Sequence, residues 1–83
     1  MEPEPPRRLT KREHEVVVLI GKGLNTRQIA DQLGIAYFTV RKHRSNLLYK
    51  LSLHSSAQLS AYAAALISQD LSLGLYKTWH GPP

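Results

Sequence analysis

The chain has 83 residues and a formal net charge of +5 at pH 7, which suits one small domain that binds nucleic acid or an acidic membrane surface. It contains no cysteine, which excludes a disulfide framework and a thiolate metal site. Its longest apolar runs, Val16–Ile20 and Ala61–Ile67, are far shorter than the roughly 20 residues of a membrane span. The amino end is rich in proline and charge, so we expect no signal peptide and a cytoplasmic location.

The first helix is predicted to begin at Thr10, after a leader of residues 1–8 that has three prolines and no hydrophobic periodicity. We expect the leader to be disordered or to be a linker from a longer protein. Thr10 and Glu13 have the spacing of a capping box, in which each side chain binds the other residue's backbone N–H. The β-branched run Val16–Val18 is also compatible with a strand, but the cap and the glycines that follow favour a helix. The predicted core stripe is aliphatic and comprises Val16, Leu19 and Ile20, with Val17 beside it.

A second short helix is predicted to begin at Asn25, which has the same capping relationship to Gln28. Its predicted end is Gly34, a natural helix stop. The third helix follows from about Phe38 to Leu51. Two short helices joined by a tight glycine-containing turn form a helix-turn-helix. The inner face of the second helix is predicted to be Ile29, Ala30 and Leu33.

The third helix has one apolar side and one cationic side when its residues are placed at about 100° intervals. The apolar side carries Val40, Leu47 and Leu51, with His43 and Arg44 at its margins. No acidic residue occurs between Gly34 and Leu51. Such a helix is suited to rest on a core and face a DNA major groove, and an ordinary solvated surface is the alternative. The opposite side carries Arg41, Lys42, Ser45, Asn46 and Tyr49, and Phe38 leads into it.

A fourth helix is predicted from Ser55, which is spaced from Gln58 as in the two earlier caps. Its inner face is predicted to be Leu59, Ala63 and Leu66. Small residues on the opposite side permit close approach of a second helix and hence a two-fold dimer contact. The alternative is that alanine is there only because it is the best helix former. The small outward residues are Ala61, Ala64, Ala65 and Ser68.

Residues 69–83 are assigned to a carboxyl-terminal tail. The alternation of leucines at positions 71, 73 and 75 favours an extended segment, whereas the glycines and closing prolines argue against much order. Packing of Tyr76 and Trp79 against the core is left open.

An ordered set of residues at fixed spacing covers the chain from Leu9 to about Ala65. The set comprises Leu9-Thr10-x-Arg12-Glu13-x-Glu15-Val16, Gly23-x-Asn25-x-x-x-Ile29-Ala30, Leu33-x-Ile35, Thr39-Val40-x-x-His43-x-x-Asn46 and Lys50-Leu51. It resembles the LuxR-type helix-turn-helix, also called the GerE-like or response-regulator effector domain.

The resemblance implies an all-α fold, a four-helix LuxR-type helix-turn-helix domain that here spans residues 9–68. It also implies a bacterial transcription regulator that binds double-stranded DNA sequence-specifically. In this family the third helix, here about residues 38–51, enters the major groove and the fourth helix mediates dimerisation. The domain often follows a phosphoacceptor receiver or a small-molecule sensor.

Three positions depart from the family's pattern. Ala36 stands where the family usually has Ser, and an Ala there is a poor helix cap. Ser56 stands where the family often has Arg, which leaves open how the fourth helix is tied to the acids of the first. Phe38 is not a family hallmark, and it either contacts a thymine methyl or folds back onto the turn.

The resemblance and the helical geometry together assign roles to individual residues. Arg41 and Lys42 are predicted to contact guanine edges, Ser45 to contact base or phosphate, and Phe38 to contact a base. His43 is assigned to structure, with a pH-dependent phosphate contact as the alternative. The predicted phosphate contacts are Thr39, Lys50, Asn25, Thr26 and Arg27.

An enzyme is not expected, because the four histidines form no H-x-x-x-H pair, the serines lack elbow glycines and no Gly-rich phosphate loop exists. No catalytic residue, metal site or cofactor is predicted. The alternative function is a helix-turn-helix module for protein–protein interaction, which the aromatic Phe38 and Tyr49 fit. The expected partners are double-stranded DNA and a second copy of the chain through the fourth helix. RNA polymerase is a further candidate, and no membrane is expected.

Overall fold

The computed structural model describes the backbone of residues 8–77 and the side chains of residues 8–69. Within that part there are four helices and no strand: α1 Lys11–Gly21, α2 Thr26–Leu33, α3 Tyr37–Lys50 and α4 Ser56–Lys77. The all-α expectation is confirmed, and the β-branched run in α1 is helical rather than extended. Most of the predicted leader, and the side chains of Tyr76 and Trp79, lie outside the described residues.

Two of the three predicted capping boxes are reciprocal. The Glu13 backbone N–H donates to the Thr10 hydroxyl at 3.1 Å, and the Thr10 N–H donates to the Glu13 carboxylate at 2.9 Å. Asn25 and Gln28 exchange the same two bonds, each at 2.9 Å. These contacts satisfy N–H groups that the start of a helix leaves unpaired.

The cap of α4 is different from the predicted reciprocal box. The Gln58 N–H donates to the Ser55 hydroxyl at 3.1 Å, as expected, but the Gln58 side-chain oxygen accepts from the His54 N–H at 2.6 Å. The start of α3 has no side-chain cap at all, because Ala36 occupies the N-cap position.

The core is formed where α1 packs against α3 and α4. The aliphatic stripe predicted for α1 is buried, and so are Ile29 and Ala30 of α2, as the sequence indicated. Leu33, Leu51 and Leu66, also predicted to face inward, are only partly buried against this cluster. The fully buried side chains of α3 and α4 are Val40, Leu47, Leu59 and Ala63.

Gly21 allows α1 and α4 to cross closely. A Cβ atom at this position would lie 2.5 Å from the Ala63 carbonyl oxygen and 2.5 Å from Cγ1 of Ile67. Those distances are below any normal contact, so only glycine fits without movement of α4. The crossing fixes which side of α4 faces outward.

The turn between α2 and α3 depends on Gly34, whose φ of +67° lies in the left-handed region that glycine adopts at little cost. The Ile35 N–H then donates to the Ala30 carbonyl at 3.1 Å, which closes the turn. This geometry sets α3 relative to α2 and completes the helix-turn-helix.

The backbone of α4 continues as a helix through Lys77. The alternation of leucines at positions 71–75 hinted at an extended segment without deciding it, and the backbone there is helical instead. Leucine is a strong helix former, and extending an existing helix costs far less than starting one.

Candidate nucleic-acid interface

The outer face of α3 is solvent-exposed and its inner face is buried in the core. Arg41, Lys42 and Ser45 are all exposed, whereas Val40 and Leu47 have no exposed surface. The amphipathic arrangement predicted for this helix is therefore present. Its exposed side offers two cations and a hydroxyl with no acid on the same helix to neutralise them.

Two aromatic rings and two guanidinium groups lie in successive contact at the start of α3. The Arg27 guanidinium lies 5.3 Å from the centre of the Tyr37 ring, and the Tyr37 and Phe38 rings meet edge to face at 5.5 Å. The Arg41 guanidinium lies 5.9 Å from the centre of the Phe38 ring. Cation–π contacts of this kind stabilise by about 0.5–1 kcal/mol at exposed sites. These successive contacts connect the start of α2 to the cationic face of α3.

Phe38 remains 72% exposed despite these contacts. Its ring does not fold back into the core, so it presents apolar surface beside Arg41. Tyr49, nearer the other end of α3, is similarly exposed at 73%.

The residues predicted to contact phosphate lie at the start of α2 and along α3. Asn25, Arg27 and Thr39 are exposed, and Thr26 is half-buried. The Asn25 side chain already accepts the Gln28 N–H, so its own side-chain oxygen is engaged in the cap.

Lys50 is held by the protein itself. Its ammonium nitrogen lies 2.7 Å from the Glu13 carboxylate and 3.4 Å from the Arg8 carbonyl oxygen, and its side chain is only 18% exposed. The contact joins the end of α3 to the start of α1. Lys50 is therefore less accessible than the exposed Asn25, Arg27 and Thr39.

Glu13 is 3% exposed and would be costly to bury without a partner. Desolvation raises the pKa of Glu13. Hydrogen bonds from Lys50 and Thr10, together with the Lys50 charge, lower it by more, so the pKa lies below the ordinary value. A signal for the burial of Glu13, though not for its pairing with Lys50, was present in the sequence. Glu13 lies one turn before Val16 and Val17 on the same stripe, so a capping carboxylate there also faces the core.

The two acids of α1 thus find their partners without α4. Glu13 pairs with Lys50, and Glu15 pairs with Arg12 at 3.0 Å. Ser56, where the resemblance suggested an arginine tie, is exposed at the first turn of α4.

A cleft of about 490 Å³ lies between α2, α3 and α4, and we call it the Arg44 cleft. Arg44 is half-buried in it, and desolvation lowers the pKa of this guanidinium, an effect that the nearby Tyr37 partly offsets. Sequence reasoning placed Arg44 at the margin of the apolar side and gave it no role. The polar residues that line the cleft are Thr26, Tyr37, Arg41, Arg44, Ser45 and Ser56.

The outward side of α4 is exposed where the sequence predicted a dimer contact. Ala61, Ala64, Ala65 and Ser68 are all exposed, opposite the buried Leu59 and Ala63. Tyr62, beside them, is 37% exposed.

Among the described side chains, those of residues 8–69, no cluster of three or more His, Asp or Glu residues is placed to hold a metal ion. None of the helices within residues 8–77 combines the length and apolarity needed to cross a membrane.

Residues 7–63, most of the chain, match the family model described as "Bacterial regulatory proteins, luxR family". The chain belongs to the luxR family. It is 40% identical over 60 residues to the oxygen regulatory protein NreC of Staphylococcus carnosus (strain TM300) and 38% identical over 60 residues to that of Staphylococcus aureus (strain JH9). Each match covers 72% of this chain and 28% of the relative.

The family membership and the four-helix fold that the sequence predicted are confirmed by this match and by the structure. The family consists of bacterial regulatory proteins rather than a class of enzymes. The chain spans only about 28% of the length of these relatives, so their names describe proteins much longer than this helix-turn-helix.

Proposed function

We propose that this chain binds double-stranded DNA sequence-specifically, with α3 in the major groove, as the DNA-binding unit of a bacterial transcription regulator. The observation that carries the proposal is the acid-free, exposed cationic face of α3 in front of fully buried Val40 and Leu47. A helix of 14 residues is about 21 Å long, and the major groove is about 12 Å wide, enough to admit it.

The base-reading residues in this proposal are Arg41, Lys42, Ser45 and Phe38. The first two offer donors to guanine, Ser45 offers a hydroxyl, and Phe38 offers an apolar surface to a thymine methyl. All four are exposed on or beside one face of α3, which supports their assignment to one contact surface.

The phosphate contacts in this proposal are grouped around the start of α2 and the first turn of α3: Asn25, Thr26, Arg27 and Thr39. For Lys50 we propose a structural role instead, because its ammonium group is engaged by Glu13. Contacts to phosphate position a protein on the duplex, and contacts to base edges give it specificity.

We also propose that two copies associate through the outward face of α4, with RNA polymerase as a further partner in the bacterial cytoplasm. Support for the dimer comes from the exposed small residues opposite the buried face of α4. Residues 9–68 would then be the DNA-binding unit, between a leader of residues 1–8 and a tail of residues 69–83. A symmetric dimer would bind two half-sites about one helical turn apart.

The direct experiment is binding of the chain to duplex DNA at several salt concentrations, after random-site selection has defined a preferred sequence. A DNA-binding face should give a logarithm of affinity that falls linearly with the logarithm of salt, in proportion to the phosphates neutralised. The preferred sequence should also bind more tightly than a scrambled one at every salt concentration.

The second candidate function is a protein-interaction module, favoured by the two exposed aromatic residues, Phe38 and Tyr49. An affinity for duplex DNA that is undetectable, or independent of salt and sequence, would favour this alternative over DNA binding.

A further inference from the structure

The Arg44 cleft has the composition of an anion site. Thr26 from α2, Ser45 from α3 and Ser56 from α4 contribute hydroxyl groups, and Arg41 joins Arg44 on its wall. None of the described residues that line it is acidic. With Tyr37, four residues that carry hydroxyl groups and two that carry guanidinium groups therefore line a cleft that has no acidic residue in its lining.

Arg44 is the half-buried cation of this cleft. Its guanidinium is half-buried, yet no hydrogen bond or ion pair joins it to another residue among the side chains described, those of residues 8–69. Burial of a charge without a partner is unfavourable, and desolvation lowers the pKa of this group. An anion in the cleft would accept charge-assisted hydrogen bonds from this partly desolvated guanidinium, which strengthens its binding there.

We propose that the Arg44 cleft binds one backbone phosphate of duplex DNA, with Arg44 as its principal ligand. The proposal rests on the proposed function, because it names a contact within the same protein–DNA surface. A planar guanidinium binds two phosphate oxygens at once, and serine and threonine hydroxyls donate to the others.

The location of the cleft gives this phosphate a particular role. Arg41 and Ser45 belong both to the wall of the cleft and to the proposed base-reading face. A phosphate held by Arg44, one turn along α3 from Arg41, would fix the register of α3 in the groove. Arg44 is thus a positioning residue: it should contribute to affinity on every sequence and carry no base preference of its own.

The test compares the wild-type chain with Arg44→Gln and with a matched control, Arg12→Gln, which removes the same charge from the exposed Arg12–Glu15 pair on α1. Affinity is measured against salt for a preferred and a scrambled duplex. Arg44→Gln should reduce the salt slope by about 0.9 on both duplexes, the value for one phosphate contact. Arg12→Gln should leave the slope unchanged.

A phosphate-by-phosphate scan locates the contact. Each phosphate of the preferred duplex is replaced in turn by an uncharged methylphosphonate, and binding is measured for wild type and Arg44→Gln. The wild-type chain should lose affinity at one phosphate where Arg44→Gln loses none. If both proteins show the same pattern at every position, the proposal is overturned.

Thermal unfolding separates this role from a structural one. Because no hydrogen bond or ion pair holds Arg44 among the described side chains and its charge is partly desolvated, Arg44→Gln should keep or raise the unfolding temperature. A lowered unfolding temperature with an unchanged salt slope would make Arg44 a structural residue and overturn the proposal.

A final arm distinguishes the sources of phosphate. Inorganic phosphate is titrated into the free chain while the Arg44 side-chain NMR signals are followed. Saturable binding there, together with an unchanged salt slope on DNA for Arg44→Gln, would assign the cleft to a free oxyanion and overturn the DNA contact. If the wild-type chain binds no duplex at all, both the proposed function and the cleft proposal fail. If Arg44→Gln binds DNA as the wild-type chain does, only the cleft proposal fails.

Discussion

The ammonium nitrogen of Lys50 lies 2.7 Å from a carboxylate oxygen of Glu13, and this buried ion pair joins the end of α3 to the start of α1. Glu13 also accepts the Thr10 N–H, so one carboxylate both caps α1 and anchors α3. The helix that we propose to enter the groove is thereby held at its far end by charge as well as by its apolar face.

Replacing Glu13 by Gln should destabilise the fold. A glutamine oxygen can still accept the Thr10 N–H, but the charge of the Glu13–Lys50 ion pair is lost. We expect the free energy of unfolding to fall by about 2 kcal/mol, measured by urea denaturation as a lower midpoint with an unchanged m-value.

The control is Glu15→Gln, which breaks the exposed Arg12–Glu15 pair, whose side chains are 41% and 36% exposed. It should cost less than about 0.5 kcal/mol. Equal losses in the free energy of unfolding for the two variants would show that burial does not make the Glu13–Lys50 pair more stabilising than the exposed pair.

The Glu13 pair should also make stability depend on pH. Because the pKa of Glu13 is lower in the folded chain than in the unfolded chain, the unfolded state takes up its proton first as pH falls. The stabilisation is therefore complete above the ordinary carboxyl range and is lost as pH falls through the folded-state pKa. Urea denaturation from neutral pH to pH 3 should show the gap between wild type and Glu13→Gln closing in acid. A gap that stays constant across that range would contradict the assignment.

Ala36→Ser should stabilise the chain. Ala36 has extended backbone angles at the N-cap of α3, and no side chain caps the helix there. A serine hydroxyl in that conformation can accept an N–H of the first turn, so we expect a gain of about 1 kcal/mol in the free energy of unfolding. Ala36→Val, which adds bulk without an acceptor, is the control. The prediction is wrong if serine gives no more stability than valine.

Phe38→Ala should weaken binding only where the DNA carries a thymine methyl at the contacted position. Replacing that thymine by deoxyuridine removes the methyl alone, and we expect a loss of about 0.8 kcal/mol in wild-type binding. The same base change should have no effect on Phe38→Ala. Tyr49→Ala, at a residue of matching exposure, should retain the full wild-type response to the base change. A deoxyuridine effect that persists in Phe38→Ala would exclude this contact.

The features that the sequence predicted well depend on neighbours within one helical turn. Thr10 with Glu13 and Asn25 with Gln28 lie three residues apart, so their caps follow from local spacing. The two sides of α3 follow from its period, because Val40 and Leu47 recur at the interval that returns a side chain to one face.

The features that the sequence missed depend on residues brought together from distant positions. Lys50 and Glu13 are 37 residues apart, and no local pattern distinguishes a lysine facing DNA from one facing a buried acid. The Arg44 cleft likewise needs Thr26, Ser45 and Ser56 from three helices. Arg44 by itself appears in the sequence as one more cation beside Arg41 and Lys42.

The most direct test of the central claim is the affinity of Arg41→Ala for the preferred duplex and for a scrambled duplex at one fixed salt concentration. If Arg41 on the outer face of α3 reads a base, the variant should lose about 1–3 kcal/mol on the preferred duplex and clearly less on the scrambled one. Equal losses on the two duplexes, or no loss on either, would contradict the account.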